Sequence, residues 1–267
     1  MEGLLRKDTI MPKISEIYQC LEHALPASLS CDWDNDGLMV CASPETEVKK
    51  ILFALDITPA VADYAAEIEA DLVISHHPLI FSGIRRMDGH DGTTRKVISL
   101  LRNNISAMSF HTRLDAADNG INDILANIFS LSDVEKFGAD GDTAARIGTL
   151  PSPMAFEDFC KHVKNVLGAP SVCGAKGNES VSRLAVLGGA GKDYIREAQK
   201  MGADTFLTGE VNYNYLLEAA ENGLSVVTAG HYHTEAPFTA FFEKLLSENF
   251  DNLEFVHFPG GCEFYYV

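Results

Sequence analysis

Apolar residues recur at helical spacing from Ile14 to Leu25, which predicts an opening amphipathic helix, and the polar segment CDWDNDGLMV after it is read as a loop. ILFALDIT is a short, unbroken apolar run of the kind a strand buried on both faces requires. Ala60 to Glu69 then returns to helical periodicity, DLVIS reads as a second buried strand, Arg95 to Arg102 as a helix, and ISAMSF as a third strand. A β-α-β-α-β order demands parallel strands joined by crossover helices, so the first half is expected to be a doubly wound unit.

The same order returns after residue 182. RLAVL, DTFLT and LSVVTA read as strands, separated by helices near Lys192 to Lys200 and Tyr213 to Glu221. The pattern predicts an α/β protein of two similar lobes with mainly parallel sheets. Residues 1–130 form the N-terminal lobe, 183–267 the C-terminal lobe, and 131–182 a connecting subdomain with glycine and proline breaks around one helix, Met154 to Leu167. A last helix, Ala236 to Glu248, leads into LEFVHF, read as a closing strand. Met11 precedes a normal helix start, so residues 1–10 are expected to be an extension that adds little to the fold.

Composition narrows the chemistry. The 267 residues are 46% hydrophobic, ample for a real core. A formal charge of -17 and scattered basic residues make a nucleic-acid backbone a poor partner. The six cysteines form no C-x-x-C pair, which argues against a zinc knuckle or a disulfide framework and fits a reducing cytoplasm. Charges interrupt every apolar stretch near the N-terminus, unlike a signal peptide, and no segment approaches the roughly 20 apolar residues of a membrane span.

In open parallel sheets, ligands bind beyond the carboxyl ends of the strands. Here DLVIS runs into His76-His77, ISAMSF into His111-Thr-Arg-Leu-Asp115, LSVVTA into Gly230-His231-Tyr-His233-Thr-Glu235, and DTFLT into Gly209-Glu210. Imidazole and carboxylate suit zinc, iron or manganese, and no thiolate stands at any of these ends. His231 and Glu235 are four apart and would share one face of a helix beginning there. Two divalent ions held by His76, His77, Asp115, His231 and Glu235 is the resulting expectation, with His111, His233 and Arg113 as candidates for catalysis or substrate contact. Arg113 could meet a substrate phosphate or pair with Asp118. LGGAGKD lacks the spacing of a phosphate-binding P-loop and reads as a tight turn, Trp33-Asp34-Asn35 as a pocket lining or a polar cap. Ser75 lies near two histidines, but no G-x-S-x-G elbow accompanies it, which removes serine hydrolysis.

WDNDGLMV, SHHPLIF, HTRLDAADNGINDILA, TGEVNYN and GHYHTE, in this order across nearly the whole chain, resemble the dinuclear-metal-centre proteins known as GTP cyclohydrolase 1 type 2, the NGG-interacting-factor-three-like family. The resemblance implies a two-lobed α/β fold, a toroidal homohexamer and two metals facing an internal cavity. It further implies that His77 and Asp115 bind one ion, His76 and His231 the other, and that Glu235 bridges them. Two departures stand out: Asp36 where the family reads WDNVG, and Asn214 where it often has histidine. The function implied is a metal-dependent hydrolase acting on a nucleotide. The alternatives are a phosphoester hydrolase with the same centre and a non-enzymatic metal-binding or scaffold oligomer, distinguished by whether the site keeps a coordination position open.

Overall fold

A computed structural model describes residues 11–139 and 141–260; the N-terminal extension expected over residues 1–10 lies outside them. The chain divides into two compact units. The first begins with α1 (Ile14–Ala24), which buries Ile14, Ile17 and Leu21. CDWDNDGLMV ends in β1 (Gly37–Val40), a strand where the sequence reads as a loop. It pairs antiparallel with β4, and its polar approach and a register break between Leu38 and Val40 hide the strand period. Then follow β2 (Lys50–Ala54), α2 (Pro59–Glu67), β3 (Leu72–Ser75), α3 (Gly92–Arg102), β4 (Ser106–Ser109) and the short α4 (Thr112–Ala116). The Thr58 hydroxyl caps α2 and the Asp91 carboxylate caps α3, each accepting from a backbone amide in the first turn.

The second unit, Leu114–Phe238, carries α5 (Ile121–Ile128), β5 (Ser132–Phe137), β6 (Ala145–Ala155), α6 (Phe156–Val166), β7 (Cys173–Ala175), β8 (Ser180–Val186), α7 (Ile195–Lys200), β9 (Thr205–Thr208), α8 (Tyr213–Glu221), β10 (Ser225–Thr228) and α9 (His231–Glu235). Its sheet runs β5-β6-β8-β9-β10-β7. The central strands β8, β9 and β10 are parallel. Residues 131–182 supply the antiparallel strands β5, β6 and β7 to this same sheet, with α6 as their helix. Alternate residues of the central strands enter two cores. Leu184, Val186 and Val227 meet Leu125, Phe159 and Val163 on one face, whereas Ala185, Phe206 and Val226 meet Ile195, Ala198 and Ala219 on the other. Burial on both faces is why these strands read as continuous apolar runs.

The chain then returns to the first unit through α10 (Thr239–Asn249) and β11 (Glu254–His257). β11 lies parallel to β2, with Phe255 beside Ile51 and Val256 beside Leu52, and completes the order β1-β4-β3-β2-β11. Leu52, Val73 and Ala107 face α2 and α3 through Val61, Ala65, Val97 and Leu100. Phe53 and Phe110 point to the opposite face, where their rings meet Phe242 of α10 at 6.2 and 5.6 Å. Each fully buried ring contributes roughly 1.5–3 kcal/mol. Helices therefore cover both faces, as a doubly wound sheet requires. Among the described residues no helix is long and apolar enough to cross a membrane.

Candidate metal centre

In the first unit β3 ends at Ser75, and the chain turns at once. The Ser75 hydroxyl holds the turn through the His77 carbonyl (2.8 Å) and the Ser109 hydroxyl (2.9 Å), while the His77 amide donates to Leu55 beyond β2 (3.0 Å). Adjacent histidines in a strand would face opposite ways; the turn brings these rings to 5.1 Å. His111, just past β4, stands 5.2 Å from His76 and 5.5 Å from His77. One ligand atom from each of the three lies within 4.8 Å of the others, a group that can hold a metal ion.

The anchors of these rings fix which nitrogen carries the proton. His76 is fully buried, and its Nδ1 lies 3.0 Å from the Phe110 carbonyl oxygen. A carbonyl can only accept, so Nδ1 carries the proton and Nε2 the lone pair. His77 Nδ1 is tied in the same way to Asp56 (2.8 Å), and His111 Nδ1 to Asp34 (3.0 Å). Asp34 also accepts from the Thr112 amide (3.1 Å) and hydroxyl (2.6 Å), capping α4. Burial works to raise the Asp34 carboxyl, but the hydrogen bonds from His111 and Thr112 outweigh it and hold the group well below the usual carboxylate range. A neutral imidazole with Nδ1–H fixed on an acceptor is the form that ligates through Nε2.

Arg113 is held inside the first unit. It is almost wholly buried, with Nη2 2.6 Å from Asp36, Nη1 2.7 Å from Glu22 and 2.8 Å from the Leu25 carbonyl. Its guanidinium also lies over the Phe110 ring. Asp118 pairs with Lys136 instead. Asp36, one of the two departures from the family pattern, is thus the counter-ion of Arg113. The other departure, Asn214, is exposed on α8.

The second unit holds Asp115, on α4, and the α9 pair. His231 and Glu235 do lie on one helical face, with Nε2 3.1 Å from the carboxylate, and His231 Nδ1 is 3.1 Å from Glu210 at the end of β9. Glu235 is buried beside the glycine turn of LGGAGKD. Gly189 has φ +69°, and a Cβ there would press into the Glu235 carboxylate and lie 3.2 Å from His231 Nε2. These glycines therefore give space to the α9 pair. The Gly189 amide donates to Thr234 (3.1 Å), and the Gly188 amide to buried Asn122 (2.8 Å), whose Nδ2 reaches the Asp115 carbonyl (3.3 Å). His233 sits edge-on to Tyr232, partly buried, and burial lowers its imidazole pKa. Asp34, which the sequence marks as a pocket lining or a polar cap, is a cap and the anchor of His111; Asp56 and Glu210, the anchors of His77 and His231, have no assigned role in the sequence, where Glu210 alone carries a signal, its place at a strand end.

The family profile Duf34/NIF3 (NGG1p interacting factor 3) matches residues 12–259. A Clostridium perfringens protein named GTP cyclohydrolase 1 type 2 homolog is 32% identical over 250 residues, spanning 91% of this chain and 95% of its own. The structure of reduced HcgD from Methanocaldococcus jannaschii superposes with a TM-score of 0.82 at 30% identity, covering 95% of this chain and all of that one. A crystal structure of a Staphylococcus aureus hypothetical protein shares the fold, with a TM-score of 0.87 at 24% identity over 97% of this chain. With its ordered motifs and both α/β units matched in this way, the chain belongs to the DUF34/NIF3 family.

Proposed function

We propose that the protein is a metal-dependent hydrolase that holds two divalent ions, zinc, iron or manganese, with His76, His77, Asp115, His231 and Glu235. The observation that supports this reading is the anchoring of Nδ1 in His76, His77 and His231 on the Phe110 carbonyl, Asp56 and Glu210, the arrangement in which an imidazole ligates a metal through Nε2. Nitrogen and oxygen donors without thiolate suit these metals. In the arrangement that the family resemblance supports, His77 and Asp115 serve one ion, His76 and His231 the other, and Glu235 both. When bound, the ions supply Lewis-acid polarisation of the substrate and acidify water near neutral pH. The chain's own part is to fix the imidazole tautomers and to keep the Glu235 carboxylate buried and oriented. A nucleotide is the substrate class favoured by the naming of the relatives as GTP cyclohydrolase 1 type 2 homologs.

Elemental analysis of the purified, metal-resupplied protein is expected to find close to two ions per chain. His231→Ala should lower occupancy at one ion, whereas Glu235→Gln, which removes the charge shared between two cations, should weaken both. A stoichiometry near zero in the parent would end this reading. Hydrolysis by the manganese-, zinc- and iron-loaded protein, screened over nucleotides and phosphoesters, tests the activity.

A further inference from the structure

Residues 76–91, between β3 and α3, form no regular element. A connection longer than about 12–15 residues inside a compact unit usually serves a function of its own. Here it walls a cavity of about 970 Å³ that starts at Pro78, directly after His77. Arg85, Arg86 and Lys96 line it, in a chain with only 21 basic residues against 38 acidic. Among the described residues none of these three cations has a carboxylate within salt-bridge distance. The two acidic residues of the wall are less available. Asp91 accepts from the Thr94 amide and hydroxyl as the cap of α3, and Asp88 accepts from the His90 amide.

Phe81 lines the same cavity and is 54% exposed. Its ring lies 6.2 Å from that of Trp33, itself 60% exposed, and Trp33 lies 5.9 Å edge-on to His111. Two large aromatic side chains held in water beside a cationic pocket suit a flat ring carried by an anion. Lys96, partly buried, also feels the charge of Asp56, the residue that orients His77.

We propose that this pocket is a phosphoryl-binding subsite: Arg85, Arg86 and Lys96 hold the phosphate of an aromatic or nucleobase-bearing phosphoester, and Phe81 and Trp33 flank its ring. The proposal deepens the hydrolase reading and rests on it for the reaction, but binding in the pocket needs no metal. Guanidinium forks match phosphate oxygens bidentately.

Calorimetric titration of the metal-free protein with inorganic pyrophosphate tests the subsite. The parent is expected to bind, and Arg85→Gln/Arg86→Gln to bind at least tenfold more weakly, while Lys164→Gln/Lys192→Gln, which removes equal charge outside the pocket, binds like the parent. Phe81→Ala should abolish the preference for phenyl phosphate over inorganic phosphate and leave pyrophosphate binding intact. No binding by the parent, or equal loss in both double variants, overturns the subsite; a retained phenyl preference overturns the role of Phe81. The metal reading fails separately: a parent that takes up no metal on resupply and still shows the Arg85/Arg86 dependence has the subsite and not the centre.

Discussion

Gly189 occupies a left-handed conformation in direct contact with the space filled by Glu235. Gly189→Ala therefore costs about 1 kcal/mol of backbone strain and also displaces the carboxylate. Thermal melting should fall by a few degrees and metal occupancy should drop with it; parent-like occupancy would separate Glu235 from the centre. Arg113 calls for a different test. Arg113→Met leaves Asp36 buried without its cation, a loss of about 3–5 kcal/mol in urea unfolding, and Asp36→Leu in the same chain should restore most of it. A variant that kept full stability and lost only substrate affinity would return Arg113 to the substrate. The five proposed ligands stand out in the sequence because imidazole and carboxylate follow apolar runs. Asp56 is not legible in this way, since nothing distinguishes it among 38 acidic residues until the fold brings it to an imidazole, and the WDN segment marks Asp34 as a pocket or cap residue without showing that it meets His111. Arg113 is ambiguous in the sequence for a related reason: a motif shows that a cation is present and is silent about the carboxylates that surround it.

The elements with a single strong period were read almost to the residue: α8 spans Tyr213–Glu221 as expected, and α1 and β3 fall within one residue of the reading. Edge strand β5 and its neighbour β6 are not visible in the sequence. β5 exposes all but Phe137, so SDVEKF shows no buried run. β6 contains Pro151 and Pro153, which read as a break, and its pairing with β8 does lose register between Thr149 and Met154. β6 bridges the break because its two ends pair separately. Connections between elements were equally hidden in the sequence. Asn122 on α5 is fully buried and joins the Gly188 turn to the Asp115 carbonyl. Asn122→Ala removes both of these hydrogen bonds from a buried site, so a loss of about 1–3 kcal/mol is expected in chemical denaturation, together with weaker metal binding at Asp115. Unchanged metal affinity would confine Asn122 to stability.

At the scale of the whole molecule, the family resemblance and the strong negative charge favour a closed homo-oligomer over nonspecific association. Light scattering should give about six chain masses, and a monodisperse monomer at micromolar concentration would set that expectation aside. The two-unit plan was visible as a repeated order of elements, but the sequence did not reveal that α10 and β11 cross back. LEFVHF reads as a final strand whichever sheet receives it. Its place beside β2 has a consequence for biosynthesis. A ribosome releases Ile51, Leu52 and Phe53 some two hundred residues before their partners Phe255, Val256 and His257. Throughout that interval one edge of the first sheet, and the Phe53–Phe110 face that α10 covers, have no native cover. The first unit is thus begun early and finished last, and a nascent chain stalled before Thr239 presents a sticky surface to chaperones and proteases.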